Sequence, residues 1–157
     1  MEFTVISDIK ESDLKKIIIS MAGEDFDCQF LRGEIEQTYH CRQLKIAITP
    51  RNGYVKVVTG LENGWPFLQH VIEKNRLTAM AIRYFRGSLA EFKNWEKGCL
   101  LRMQHALRDT KWLWYGKGNI QPWEESSKYS ERIVKNRLTA EMLESYLENC
   151  GYSEVVT

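Results

Sequence analysis

The stretch from Gln43 to Thr59 leaves the chain little choice of local structure. Leu44, Ile46 and Ile48 point one way while Gln43, Lys45 and Ala47 point the other, the period-two signature of a strand. Pro50-Arg51-Asn52-Gly53 follows, and Asn-Gly is the strongest short signal for a hairpin. The β-forming run 54–59 then supplies the returning strand. Antiparallel strands of this kind bury one face and wet the other.

The remaining elements group around this hairpin. Residues 2–7 alternate and read as a first strand. Ser12 is placed to cap a helix through Leu14, Ile17, Ile18 and Met21 that Gly23 stops. Residues 28–31 and 34–39 read as extended. After Gly60 the pattern turns helical, with Pro66 at a first helical position followed by Phe67, Val71 and Ile72. Ser88-Leu89-Ala90-Glu91 has the form of a capping box, opening a helix with Leu89, Phe92, Cys99, Leu100, Met103 and Leu107 on one stripe and Gly98 inside it. Residues 112–123 are aromatic and Gly-containing, loop or strand. A last helix runs from Thr139 to about Cys150, with Gly151 as its stop. One hexapeptide occurs twice: Lys74-Asn75-Arg76-Leu77-Thr78-Ala79 returns as Lys135-Asn136-Arg137-Leu138-Thr139-Ala140, and both copies place Thr as a helix cap. The expected architecture is a single α+β domain over residues 1–157. Its mostly antiparallel sheet, of about four or five strands, comes from the N-terminal half and is covered by helices mainly from the C-terminal half.

Composition narrows the function classes. With 43% hydrophobic and 27% charged residues in 157, the chain can bury a core and is not disordered. Its net charge of +1 selects neither nucleic acid nor membrane as a partner, but the charge is unevenly placed. Residues 74–117 hold 10 Lys and Arg against 3 Asp and Glu, a net of +7, between flanks of −3 each. No run of about 18 apolar residues suggests a membrane span, and the N-terminus resembles no targeting peptide. Cys28, Cys41, Cys99 and Cys150 are separated by 13, 58 and 51 residues, without a CxxC pair, so no structural zinc is expected. Reduced thiols and a cytoplasmic location follow as expectations.

Catalytic motifs are absent: no GxSxG, HExxH, Walker loop or GxGxxG occurs. His40 and Cys41 are adjacent, so in a strand their side chains face opposite sides. On the expected helix, His105 and Asp109 fall at i and i+4, a spacing for a surface ion pair. Glu34 and Glu36 share a strand face, as do Gln43 and Lys45. This acid strand followed by a (E/Q)xK strand resembles the metal-binding core of the restriction-endonuclease-like nucleases. The resemblance spans about thirteen residues, with Glu36 where that family usually carries Asp. It implies a divalent cation held by Glu34, Glu36 and Gln43, with Lys45 beside an activated water. Nothing else in the chain suggests a cofactor.

The more informative segment is Trp112-Leu113-Trp114-Tyr115-Gly116-Lys117-Gly118-Asn119. Trp112, Trp114, Tyr115 and Trp123 crowd four large rings into twelve residues, flanked by Lys111 and Lys117. Trp and Tyr dominate interface energetics, so these six residues are the expected partner-binding surface. Gly116 and Gly118 make an ordinary turn or, less simply, free backbone amides for a phosphate. The expected function is non-enzymatic protein binding, of the kind an inhibitor or immunity-type protein uses to neutralise a cognate toxin. The alternative is nucleic-acid binding through residues 74–117, where Tyr84, Phe85, Phe92, Trp95, Trp112, Trp114 and Tyr115 interleave with the basic residues.

Overall fold

The computed structural model describes residues 1–22, 26–31, 34–39, 42–59 and 64–152, with 22, 26–31, 34–39, 42–45 and 64 described by their backbone alone. In chain order the elements are β1 (Glu2–Ser7), α1 (Glu11–Ala22), β2 (Phe26–Leu31), β3 (Glu34–Tyr39), β4 (Arg42–Pro50), β5 (Tyr54–Thr59) and α2 (Gly64–Lys74). Then follow β6 (Thr78–Phe85), β7 (Leu89–Glu96), β8 (Cys99–Arg108), β9 (Trp112–Lys117) and α3 (Ala140–Asn149). All described strands join one nine-stranded sheet of order β2-β3-β4-β5-β1-β6-β7-β8-β9. Every neighbouring pair is antiparallel. The fold is α+β, and its sheet extends well past the four or five strands expected from the first half.

Alternation along the strands builds two cores, one on each face. On the first face, Ile6, Ile46, Ile48, Val55, Val57, Ala79, Ala81 and Trp95 pack with Leu14 and Ile18 of α1 and Leu68, Val71 and Ile72 of α2. On the second face, Phe3, Val5, Tyr54, Met80, Ile82 and Phe92 pack with Met142, Leu143, Tyr146 and Leu147 of α3. Helix α1 begins at Glu11, since the Leu14 amide donates to the Lys10 carbonyl. Ser12 therefore lies inside the first turn and not at the cap. Glu11 and Asp13 there favour the positive end of the helix dipole. Pro66 is the third residue of α2, still in the first turn, where its missing N–H costs nothing.

The helix expected from Leu89 through Leu107 is instead the β7–β8 hairpin. Lys97 (φ 48°) and Gly98 (φ 79°) both take the left-handed conformation, which makes the two-residue turn whose twist suits a hairpin. The apparent stripe divides between the faces: Phe92 is buried on the second, while Leu89, Met103 and Leu107 lie on the first. Ser88 caps nothing; its hydroxyl donates back to the Phe85 carbonyl. The two copies of the hexapeptide also part company. Thr139 caps α3, accepting from the Met142 amide at 3.3 Å, with Leu138 and Leu143 buried on either side of it. Thr78 opens β6, and its hydroxyl accepts from the Lys97 amide at 3.2 Å. The residues after each Thr decide the outcome. Ala79, Met80, Ala81 and Ile82 alternate between the two cores, whereas Met142, Leu143, Tyr146 and Leu147 recur at helical spacing.

Gly98 also carries tertiary packing. Its amide donates to the Leu77 carbonyl, and a Cβ there would lie 2.7 Å from the Glu73 carbonyl oxygen and 2.8 Å from the Arg76 Cα. Gly87 shares the left-handed backbone (φ 80°), but a Cβ there meets nothing within 4 Å. Gly87→Ala should therefore cost about 1 kcal/mol, the conformational term alone. Gly98→Ala should cost about 2 kcal/mol or more, because backbone must also shift. Thermal melts of the two variants measure the difference, and equal losses would show that the contact with α2 carries no weight.

Candidate functional site

Six residues were expected to form one aromatic surface, and the pleat of β9 divides them. Trp112 and Trp114 do share a side, the second face, where both are half-buried. Trp114 packs at a tilt against Tyr129 (5.1 Å between centroids) and lies under the Arg137 guanidinium at 5.6 Å. Trp123 packs edge-on against Phe92 and Tyr146, each at 5.5 Å. Tyr115 and Lys117 point to the other face, where Tyr115 is 51% exposed. Lys111 is exposed in the turn before β9. Trp114 and Trp123 thus belong to the border of the second core, Trp112 lies half-buried on the same face, and Tyr115 and the two lysines stay open.

What holds the irregular segment 118–139 against the second face, with Tyr129 and Arg137 on Trp114, is a buried polar network. The Arg102 side chain is 3% exposed and that of Glu124 is fully buried; they pair at 2.9 Å, with a second contact from Arg102 Nε at 3.0 Å. The remaining guanidinium hydrogens reach the Met103, Lys117 and Gly118 carbonyls and Gln104 Oε1. Glu124 also accepts from the Gln121 amide and the Tyr129 hydroxyl. The Tyr129 and Tyr146 hydroxyls share a hydrogen bond of 2.9 Å, and the Tyr146 oxygen accepts from the Glu125 amide. Both glycines of the 112–119 segment serve this assembly. A side chain at Gly116 would strike Gln104 and Arg102, and one at Gly118 would strike the Leu101 carbonyl. Gly116 is a glycine because the network crosses over it, and Gly118 because the Leu101 backbone does and because its φ is 82°.

The first face is different beyond α2. Trp65 of α2 reaches as far as β7, touching Trp95 at 6.3 Å with the Lys93 ammonium over its ring at 5.5 Å. Past that point β8 and β9 present their side chains to solvent. One cross-strand row there is Phe85–Leu89–Leu107–Leu113, with Phe85, Leu107 and Leu113 exposed by 43, 37 and 41%. The next row is Glu2–Arg83–Glu91–His105–Tyr115. In it Arg83 pairs with Glu2 at 3.2 Å and stands 3.8 Å from Glu91 Oε1, and His105 Nδ1 lies 3.4 Å from Glu91 Oε2. The imidazole is thus partnered by Glu91 of the next strand and not by Asp109, because 105–109 is strand and turn rather than helix. Tyr115 tilts over His105 at 5.4 Å. Leu101, beside the irregularity in the β7–β8 pairing, adds a further apolar side chain at 40% exposure.

The other candidates sit apart from this face. Glu34 and Glu36 lie on β3, and Gln43 and Lys45 on β4, with Glu36 opposite Lys45 and Gln43 opposite Thr38. They are placed near the far edge of the sheet, and their side chains fall outside the described ones, as do those of Cys28, His40 and Cys41. Among the described residues no three His, Cys, Asp or Glu come close enough to hold a metal ion. Nor is any described helix long and apolar enough to cross a membrane. Cys99 is exposed, and burial pushes the half-buried Cys150 thiol up to about 11. The rings interleaved through 74–117 do not form one platform: Phe92 and Trp95 are buried on opposite faces, and Phe85 and Tyr115 are exposed on the first.

No family model, curated protein or solved structure matches this chain. The site therefore rests on its own geometry. The exposed row of Phe85, Leu107 and Leu113 went unseen in the sequence because 89–107 has helical spacing. The signal that identifies it is Lys97-Gly98 at the midpoint of that run, a hairpin turn between two alternating segments.

Two outcomes follow from the polar network. Glu124→Gln leaves Arg102 buried without a counter-charge and should cost about 3–5 kcal/mol, read as a large drop in melting temperature. The second is alkaline lability. Burial raises both Tyr129 and Tyr146, Tyr129 further through its bonds to Tyr146 and the charge of Glu124. A group that holds its proton more tightly when folded contributes its stability in full below its unfolded value, about 10 for tyrosine, and loses it as pH rises further. Stability should therefore fall above about pH 10, and Tyr129→Phe should weaken that dependence in denaturant titrations.

Proposed function

We propose that the chain is a non-enzymatic protein-binding module that holds its partner against the part of the first face left open beyond α2, on β8, β9 and the β6–β7 turn. The observation that carries this is the row of Phe85, Leu107 and Leu113, with Tyr115 in the next row, all between 37 and 51% exposed on one sheet. Soluble proteins expose contiguous apolar surface mainly where something binds. A large exposed ring amid leucines, edged by charge, has the composition of an interface centre. Preorganisation supports the same reading, since a sheet freezes few rotors on binding. A partner protein neutralised by this contact, as inhibitor and immunity-type proteins neutralise toxins, is the finer form of the proposal. Binding of nucleic acid is the second reading, favoured by the +7 net charge of residues 74–117, which span β6–β9. Salt separates the two, because phosphate contacts weaken steeply as counterions compete.

The test uses Leu113→Ser and Tyr115→Ala. Both side chains are substantially solvent-exposed, so melting temperatures should stay close to wild type. Capture of the native partner should weaken by about 2 kcal/mol or more in each, and hold between low and moderate salt. Trp114→Ala should behave in the opposite way, losing about 2 kcal/mol of stability through its contacts with Tyr129 and Arg137. Unchanged capture by both surface variants would remove the first face from the interface.

A further inference from the structure

A cavity of about 300 Å³ opens on the second face, between the β6–β7 turn and the approach to α3. Its floor is the cross-strand pair Ala90 and Ala106, 4 and 1% exposed. These are the small members of a row that runs Tyr84–Ala90–Ala106–Trp114 across four strands. The neighbouring row on the same face has Phe92 beside Gln104, and there Trp123 and Tyr146 close over the sheet. Two methyl groups in place of large side chains leave the space unfilled. Tyr84 and Trp112, each half-buried, wall the cavity with ring surface, and Leu138 lines it from the α3 side.

The rim is charged. Arg86 and Lys135 are exposed at the cavity, and among the described residues neither makes an ion pair; Glu141 lies at the same opening. Two cations against one carboxylate leave a single positive charge, which suits a monoanion better than a phosphate dianion. An apolar floor, aromatic walls and a few polar groups at the mouth are the usual makings of a small-molecule site, and the volume lies at the lower end of that class. Aromatic rings pack favourably on such walls, and a carboxylate at the rim gains charge-assisted hydrogen bonds from Arg86 and Lys135.

We propose that this cavity binds a small aromatic carboxylate, its ring seated on Ala90 and Ala106 between Tyr84 and Trp112 and its carboxylate at Arg86 and Lys135. The cavity meets the first-face row only at Phe85 and Leu89, and none of Leu101, Leu107, Leu113 or Tyr115 lines it.

The probe is 2-naphthoate, titrated by calorimetry against the full chain, with 2-naphthamide as its neutral counterpart. The carboxylate should bind at least about tenfold more tightly than the amide, because only it engages the cations. Ala106→Leu, which fills the floor, should abolish binding. The double variant Arg86→Glu, Lys135→Glu changes exposed residues only, and should weaken 2-naphthoate by about tenfold or more while leaving the melting temperature near wild type. That variant decides the matter if Ala106→Leu does not fold. Leu113→Ser, on the opposite face, should bind as wild type does. The proposal is overturned if 2-naphthoate gives no binding, if acid and amide bind alike, if the charge-reversed variant binds undiminished, or if Leu113→Ser alone removes binding.

Discussion

The sheet depends on β1. It sits at the centre of the strand order, with β5, β4, β3 and β2 running outward on one side and β6, β7, β8 and β9 on the other. Each side is a plain meander of neighbours in sequence, and among the described strands only β1 pairs with both. Residues 3–6 are all buried, because the strand is covered on both faces: Phe3 and Val5 belong to the core under α3, Ile6 to the core under α1 and α2. The seam is tied at its end as well. Tyr84 exchanges hydrogen bonds with Met1 across 83 positions, its amide donating to the Met1 carbonyl and its carbonyl accepting from the terminal ammonium. The strand pairings that unite the halves are therefore the least local in the sheet, and among those pairings they carry the largest loop-closure entropy.

The two halves bury their surfaces by different means. The first uses apolar packing under two helices. The second uses one helix, α3, and then the Arg102–Glu124 pair to hold 118–139 where no regular element lies. A buried pair of this kind adds little net stability over an apolar replacement, but it fixes geometry, since each bond has one direction. Arg102 fans its donors to Glu124 on one side and to the Met103, Lys117 and Gly118 carbonyls on the other. That ties the end of β9 to the segment that follows it, and so places Trp112 and Trp114 over the second face and leaves Tyr115 facing out.

Much of the fold was legible residue by residue. The strands at 2–7, 43–49 and 54–59, the helix through Phe67 to Ile72, and α3 between Thr139 and Gly151 each have a local signal that agrees with their surroundings. The run 89–107 did not, because leucine, phenylalanine and methionine at its spacing satisfy a helical stripe and a hairpin alike. Tertiary contact chose between them: Gly98 turns against the end of α2, and Phe92 and Trp95 each find a different core. The site was half legible for a related reason. Alternation places Trp112 and Trp114 together and Tyr115 opposite, but which side stays wet is set by where α1 and α2 end. Those helices lie far back in the chain, and nothing within 112–123 encodes their reach.

The repeated hexapeptide has a consequence for anything that recognises the chain by short segments. Arg76 stands in the left-handed region at φ 53°, while Arg137 is right-handed helical at φ −76°, and the Ala that ends each copy begins a strand step in one and a helix in the other. An antibody raised against the free peptide would meet two equal epitopes on the denatured protein. On the native protein it would meet two unlike shapes, with Leu138 buried at the heart of one of them. Reactivity toward that peptide thus reports unfolding, from within the molecule's own sequence and without an added label.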